Sequence, residues 1–115
     1  MVQLDLMTKF KNDKYRKARG GKSVMLKISC ASCNSAIIEY QKDGDGNLRR
    51  CYLNRIHSPE KYSSLQYSKD IIDSKDMPKL RCFNCENLIG TPMRYSDGRL
   101  AYRLKYGVFK KVKIK

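Results

Sequence analysis

The sequence of 115 residues has no tryptophan and a single histidine, and no run approaches the roughly 18 apolar residues of a membrane span. Its basic N-terminal stretch also lacks the long hydrophobic region and small-residue cleavage site of a signal peptide. We therefore expect a soluble cytoplasmic protein without a membrane partner. Without tryptophan and with three phenylalanines, the aromatic part of the core must come mainly from the eight tyrosines.

Acidic residues are also scarce, with 11 Asp and Glu against 25 Lys and Arg, for a formal net charge of +14. The excess lies at the two ends, because residues 1–29 and 82–115 each carry +6 and residues 30–81 carry +2. A basic balance of this size predicts a polyanionic partner. The 41% of hydrophobic residues is too high for a wholly disordered chain, and the length allows one domain with a modest core.

Four of the five cysteines form two C-x-x-C pairs, Cys30 with Cys33 and Cys82 with Cys85. An odd number of cysteines in a reducing compartment fits a disulfide framework badly. Two C-x-x-C turns can supply the four thiolates of a closed tetrahedral zinc site, which leaves no position for water or substrate. The pattern predicts one structural Zn²⁺ ion that the fold requires. A redox dithiol fits less well because the helix and strand alternation of a thioredoxin-like fold is absent, and an iron–sulfur cluster is a minor alternative.

The two cysteine pairs belong to an internal repeat, because Cys82 follows Cys30 by 52 positions and Cys85 follows Cys33 by the same interval. At that interval seven of the 27 positions 27–53 have an identical partner, including an Asp-Gly dipeptide in each half. Each half, about 24–56 and 77–106, predicts a strand, a cysteine turn, a second strand, an Asp-Gly turn and a returning strand. We predict a mainly β fold of two small antiparallel sheets joined at one four-cysteine zinc site.

The chain divides into a basic N-terminal arm, residues 1–22, and a single zinc-binding β domain, residues 23–115. The arm is either flexible or forms a brief helix capped by Thr8 and ended at Gly20. In the connection between the halves, "SPEKYSSL" predicts a short helix with Pro59 at its first position. The closing segment "VFKKVKIK" alternates in polarity and predicts a last strand with a lysine face.

The spacing C-x-x-C, 48 residues, C-x-x-C resembles that of the β-tent zinc domains, the architecture of the Yippee proteins. The continuation "CENLIGTPMRY" is similar as well, with Gly90 and Tyr95 near the expected places, although this chain lacks the tryptophan of that family. The resemblance covers roughly residues 24–106. It implies two antiparallel sheets that meet at one zinc ion, in a β-tent or extended zinc-ribbon arrangement, with the four paired cysteines as ligands. Such domains bind proteins, ligands or RNA ends.

Basic residues cluster in two places that can contact RNA. The first cluster is the run "KYRKARGGK", whose cations are Lys14, Arg16, Lys17, Arg19 and Lys22. The second consists of Arg49, Arg50 and Arg55 on the first returning strand, with Tyr40 and Tyr52 nearby. Arginines bind phosphates through two parallel hydrogen bonds, and neighbouring tyrosines can stack on bases. We expect a ribosome- or ribonucleoprotein-associated RNA-binding protein. A solvated tail is the alternative for the first run, and a β-tent protein-interaction adaptor is the alternative for the whole protein.

Cys51 lies outside the two pairs and is the one candidate nucleophile, because the β-tent resemblance extends to methionine sulfoxide reductases. Adjacent Arg49 and Arg50 would lower its pKa if it were exposed. Cys51 falls, however, within a predicted strand, where a small buried thiol is common. His57 has no paired carboxylate and no serine motif nearby, and the H-x-E stretch of the zinc deaminases is missing. We expect neither enzymatic activity nor a small-molecule substrate.

Overall fold

Eight short strands form most of the regular structure in the computed structural model of the protein, which describes residues 10–44 and 46–114. The strands are β1 (Ser23–Cys30), β2 (Ala36–Asp43), β3 (Arg50–Tyr52), β4 (Ile56–Ser58), β5 (Leu80–Arg81), β6 (Leu88–Arg94), β7 (Leu100–Leu104) and β8 (Phe109–Lys113). The helices are α1 (Lys14–Ala18) and α2 (Glu60–Ser63), and 3-10 turns occupy Leu53–Arg55, Ser64–Tyr67 and Ser74–Asp76.

The strands form two antiparallel sheets of four strands each, which confirms the predicted fold class. Sheet 1 has the order β4-β2-β1-β8, and sheet 2 has the order β3-β7-β6-β5. The central hairpin of sheet 1 joins β1 to β2 through the first cysteine turn, and β5 joins β6 through the second. Each cysteine turn thus connects the two strands of one hairpin, which is central in sheet 1 and lies at the edge of sheet 2.

The prediction that each half of the repeat returns on a single strand of its own is wrong for the first half. The returning segment breaks at the 3-10 turn Leu53–Arg55, so that β3 pairs with β7 in sheet 2 and β4 pairs with β2 in sheet 1. The break turns the side chains of both Leu53 and Arg55 into the interior. The last strand, β8, in turn adds to β1 of sheet 1. Each sheet therefore contains strands from both halves of the chain.

Residues that precede β1 pack against sheet 1. Helix α1 begins after Asp13, whose carboxylate accepts hydrogen bonds from the backbone N–H groups of Tyr15 and Arg16. Asp13 therefore caps this helix in place of the expected Thr8, which lies outside the described residues. The fully buried Gln41 side chain accepts a hydrogen bond from the N–H of Lys11 at 2.7 Å and donates one to its carbonyl oxygen at 2.9 Å.

One hydrophobic core joins the two sheets. It includes Ile28 and Cys30 from sheet 1 and Leu80, Ile89 and Tyr102 from sheet 2, and each of these residues is fully buried. Three tyrosines, Tyr40, Tyr62 and Tyr102, are buried, and the rings of the last two pack edge to face at 6.0 Å. The tyrosines thus contribute to the core, but fewer of them are buried than the absence of tryptophan suggested.

Helix α2 follows Pro59 directly, close to the predicted start. The longest helices in the described part of the chain have four or five residues, and none could cross a membrane.

Candidate metal centre and nucleic-acid interface

The two cysteine turns, here called the first knuckle (residues 30–33) and the second knuckle (residues 82–85), have the same backbone geometry. Asn34 and Glu86, which follow the second cysteine of each knuckle, have φ values of 64° and 63°. Their N–H groups donate to the carbonyl oxygens of Cys30 and Cys82, both at 2.8 Å. Because this left-handed conformation is uncommon for residues other than glycine, its recurrence at an interval of 52 residues shows that the repeat is structural.

The knuckles bring four thiol groups together. The Sγ atoms of Cys30, Cys33, Cys82 and Cys85 all lie within 4.8 Å of one another. Cys30 and Cys85 are 3.6 Å apart at sulfur, and Cys33 and Cys82 are 3.5 Å apart. A tetrahedral ion with metal–sulfur bonds of about 2.3 Å requires sulfur–sulfur separations of about 3.8 Å. These four residues could therefore hold one metal ion, as the sequence predicted.

Hydrogen bonds favour the thiolate form of one of the four cysteines, Cys33. The side chains of Asn84 and Ser35, together with the N–H of Ser35, lower the pKa of Cys33 to about 5. The N–H of Asn87 lowers the pKa of Cys85, but desolvation and the neighbouring thiols outweigh it and raise that pKa to about 12. Four sulfurs this close cannot all lose their protons without a compensating cation, which a divalent metal ion would supply.

A second site lies where α1, the end of β2 and the Asp-Gly turns meet. It is a partly open cleft of about 310 Å³, here called the arginine–tyrosine cleft. Its charged and aromatic lining includes Tyr15, Arg19, Lys42, Arg49, Arg50, Tyr52 and Arg99. Asp43 also lines the cleft, but its carboxylate already binds the guanidinium of Arg55 at 2.7 Å. The lining therefore carries more cationic than acidic side chains, and Arg99 is itself paired with Asp97 at 2.9 Å.

Arginines and tyrosine rings stack on one another at the wall of this cleft and extend to Tyr95, which lies outside its lining. The guanidinium carbon of Arg99 lies 3.8 Å from the ring centre of Tyr15 and 3.6 Å from that of Tyr52. Tyr52 packs edge to face on Tyr95 at 5.6 Å, and Arg50 stacks on Tyr95 at 4.2 Å. Arginine–aromatic stacks of this kind hold guanidinium groups in fixed orientations.

The structure brings four of the predicted RNA-contacting residues to this cleft, namely Arg19, Arg49, Arg50 and Arg55. Lys14, Lys17 and Lys22 are exposed on and beside α1, outside the cleft lining. Arg16 is half-buried, and its Nε donates to the hydroxyl of Ser23 at 2.8 Å, so it connects α1 to β1. Arg19 of the first predicted cluster thus lines the same cleft as Arg49 and Arg50 of the second, although Arg19 and Arg49 are 30 positions apart in the sequence.

Arg55 departs from the expectation that it contacts RNA. Its side chain is only 1% exposed, and it forms ion pairs with Asp13 and Asp43 at 2.5 Å and 2.7 Å. A guanidinium that is buried and already binds two carboxylates is not accessible to a phosphate in solvent. We therefore remove Arg55 from the RNA-contacting set and assign it a structural role.

Sequence reasoning missed Arg99 and Lys42 as cleft residues. A signal for Arg99 was present, because the repeat interval aligns it with Asn47, which immediately precedes the Leu-Arg-Arg segment. Asn47 and Arg99 both line the cleft. The repeat therefore places the segments after its two turns at one location, which neither half reveals alone.

The environment of Cys51 does not activate its thiol. It is fully buried, and desolvation raises its pKa well above the usual range. His57 Nε2 lies 3.1 Å from the Oε1 atom of buried Gln41, within the polar contacts that hold Lys11. Cys51 therefore lacks the exposure that a nucleophilic thiol requires.

Comparison with known proteins adds no relationship to these observations. No protein-family model matches the chain, and searches of curated proteins and of solved structures find no significant similarity.

Proposed function

We propose that this protein is a non-catalytic, zinc-stabilised RNA-binding protein that holds single-stranded RNA in the arginine–tyrosine cleft. The observation that carries the proposal is the position of Arg99 between the rings of Tyr15 and Tyr52, with Arg19, Arg49 and Arg50 around the same cleft. Phosphates would bind the arginines, and a base would stack on the outer part of the cation–aromatic wall.

Single-stranded RNA suits this cleft better than a duplex. A volume of about 310 Å³ admits a nucleotide or two but cannot receive a double helix. Stacking on tyrosine or arginine requires unpaired bases, and this mode is common among proteins that bind single strands. Lys14, Lys17 and Lys22 on the adjacent exposed face would extend the contacts to neighbouring phosphates. We place the protein in the cytoplasm as a component of a ribosome or another ribonucleoprotein.

Zinc is the metal that the four-cysteine cluster fits best. Four thiolates from two knuckles are the donor set of structural zinc sites, and the observed sulfur separations suit a tetrahedral ion. Such an ion fills all its positions with protein ligands and supplies no catalytic water. Its role here would be to join sheet 1 to sheet 2 and so maintain the cleft, to which both sheets contribute.

The test is fluorescence anisotropy with a labelled single-stranded RNA of about a dozen nucleotides, a DNA strand of the same sequence and a DNA duplex, across a salt series. We expect affinity for the single strands that falls steeply with salt. Arg49→Ala should weaken binding and lower the salt slope by about one unit. Tyr15→Ala should lower affinity about tenfold or more while Tyr15→Phe retains it, because the ring provides the stacking surface.

Arg94→Ala is the matched control, because Arg94 is an exposed arginine that does not line the cleft. It removes the same charge as Arg49→Ala, so an equal loss of affinity in the two variants would indicate non-specific attraction and contradict the proposal. Binding that is absent at low salt, or insensitive to salt, would contradict it as well. Zinc content and circular dichroism should be unchanged in every variant that is compared.

A further inference from the structure

A separate apolar groove lies beside the metal centre, and its lining comes from β1, β2, the segment 58–62 and the second knuckle with the residue Arg81 before it. Its volume is about 390 Å³, and it is here called the knuckle groove. Ile37, Ile38 and Tyr62 are buried side chains of its lining, and Phe83 of the second knuckle lines it although the residue is 76% exposed. A phenylalanine this exposed leaves apolar surface in water that a bound partner would cover.

The position of Phe83 makes it a fixed part of the groove. It lies between Cys82 and Cys85, two members of the four-sulfur cluster, and the second knuckle is closed by the hydrogen bond from Glu86 N–H to the Cys82 carbonyl. An aromatic side chain on such a rigid turn loses little backbone entropy when a partner binds.

The groove also borders a strand edge that is open to pairing. In the described residues, β2 pairs with β4 only at Glu39 and Tyr40, so residues 36–38 have no strand partner on that side. Pro59 follows β4 directly, and it lacks an N–H group and begins the turn into α2. An extended peptide can add to an edge of this kind while its alternate side chains enter the apolar groove.

The rim of the groove is positively charged. Lys27, Lys61 and Arg81 are exposed lining residues, and Glu39 is the one acidic residue in the lining. The floor is apolar and carries no arginine cluster, in contrast with the arginine–tyrosine cleft. Charge complementarity therefore favours an apolar peptide with acidic residues over a nucleic acid.

We infer that the knuckle groove is a docking site for an extended segment of a partner protein that alternates apolar and acidic residues. The apolar side chains contact Phe83 and Tyr62, and the acidic ones face Lys27, Lys61 and Arg81. The site is distinct from the proposed RNA cleft, so one molecule can engage an RNA and a protein at the same time.

The test begins with selection of a displayed library of random twelve-residue peptides on the full-length, metal-loaded protein. Enriched sequences should contain spaced apolar residues together with Asp or Glu. Binding of a synthetic, labelled copy of an enriched peptide is then measured by fluorescence anisotropy. Phe83→Ala and Lys61→Glu should each weaken binding about tenfold, because they remove the apolar contact and reverse the rim charge.

Arg49→Ala serves as the control, since it alters the arginine–tyrosine cleft and should leave peptide affinity unchanged. The inference is overturned if no sequence is enriched, if the enriched sequences lack acidic residues, or if Phe83→Ala and Lys61→Glu bind the peptide as tightly as the wild-type protein does. It is also overturned if the wild-type chain dimerises in sedimentation experiments and Phe83→Ala does not, because the occupant is then a second copy. Loss of RNA binding in Lys61→Glu would likewise assign the groove to nucleic acid.

Discussion

The guanidinium of Arg55 donates to both carboxylate oxygens of Asp13, at 2.5 Å and 3.0 Å, across 42 positions of sequence. Its Nε donates to Asp43 at 2.7 Å. The hydrogen bond from Arg55 is the main reason that the pKa of Asp13 is lowered to about 2. Because Asp13 also caps α1, this one arginine connects the helix that carries Tyr15 and Arg19 to the body of the protein.

We predict that Arg55→Ala destabilises the protein by about 3 to 5 kcal/mol, because it leaves the carboxylate of Asp43 without its partner in a site where that carboxylate is only 8% exposed. Arg55→Lys keeps the charge but not the paired donors and should lose less. Urea unfolding at constant zinc concentration measures both effects. Arg94→Ala breaks an ion pair whose members are 44% and 52% exposed, so its cost should stay below about 1 kcal/mol. Equal losses in Arg55→Ala and Arg94→Ala would contradict the structural role of Arg55.

Removal of the metal should unfold the domain. A structural zinc site contributes on the order of 10 kcal/mol, which is comparable with the whole stability of a small domain. Native mass spectrometry should find one zinc ion per chain, and a strong chelator should abolish the cooperative thermal transition. Cys82→Ser should bind zinc poorly and fail to fold, whereas Cys51→Ala should retain the ion. A folded protein without metal, or two ions per chain, would refute the shared site.

The thiol of Cys51 should resist alkylation in the folded protein. It is fully buried and its pKa is raised by desolvation, so neither iodoacetamide nor a proton acceptor can reach it. We expect mass spectrometry to detect its modification only after denaturation. A zinc-loaded sample that reacts quickly at Cys51 while its circular dichroism stays native would show that the thiol is accessible and would reopen the reductase hypothesis.

Alkaline stability should depend on Tyr40. Burial raises the pKa of Tyr40 well above its usual value of 10.0, and its hydroxyl accepts a hydrogen bond from the N–H of Tyr52 at 2.9 Å. Because the pKa of this phenol is higher in the folded state than in the unfolded state, its contribution to the free energy of unfolding is fully present below the unfolded-state pKa. That contribution is lost as the pH rises through the folded-state pKa. Stability should therefore decline above about pH 10.

Unfolding experiments between about pH 8 and pH 12 would measure this decline. It should be shallower in Tyr40→Phe, which has no phenol to ionise at that position. Tyr106→Phe is the control, because Tyr106 is 99% exposed and should leave the wild-type profile unchanged. Identical profiles for all three proteins would mean that the burial of Tyr40 does not govern the alkaline limit.

The sequence alone determined the four metal-binding candidates and the mainly β fold of this protein. Both depend on local spacing: the C-x-x-C turns set the sulfur positions within each knuckle, and the interval of 52 residues shows that the knuckles form one repeat. The positive charge at both ends is also a property of composition, and it was evident before the chain was folded.

Only the tertiary structure decided which sheet each strand joins and which arginines are buried. The returning segment of the first half divides between the sheets because Leu53 and Arg55 both turn inward, and alternation along one segment does not specify which sheet its residues will join. Arg49, Arg50 and Arg55 carry the same charge within seven positions and all line the cleft, yet of the three only Arg55 is buried, in ion pairs with two carboxylates. Arg55 is buried because it pairs with Asp13 and Asp43, which are far from it in the sequence. Only the folded chain brings these three residues together, so the sequence near Arg55 does not predict its burial.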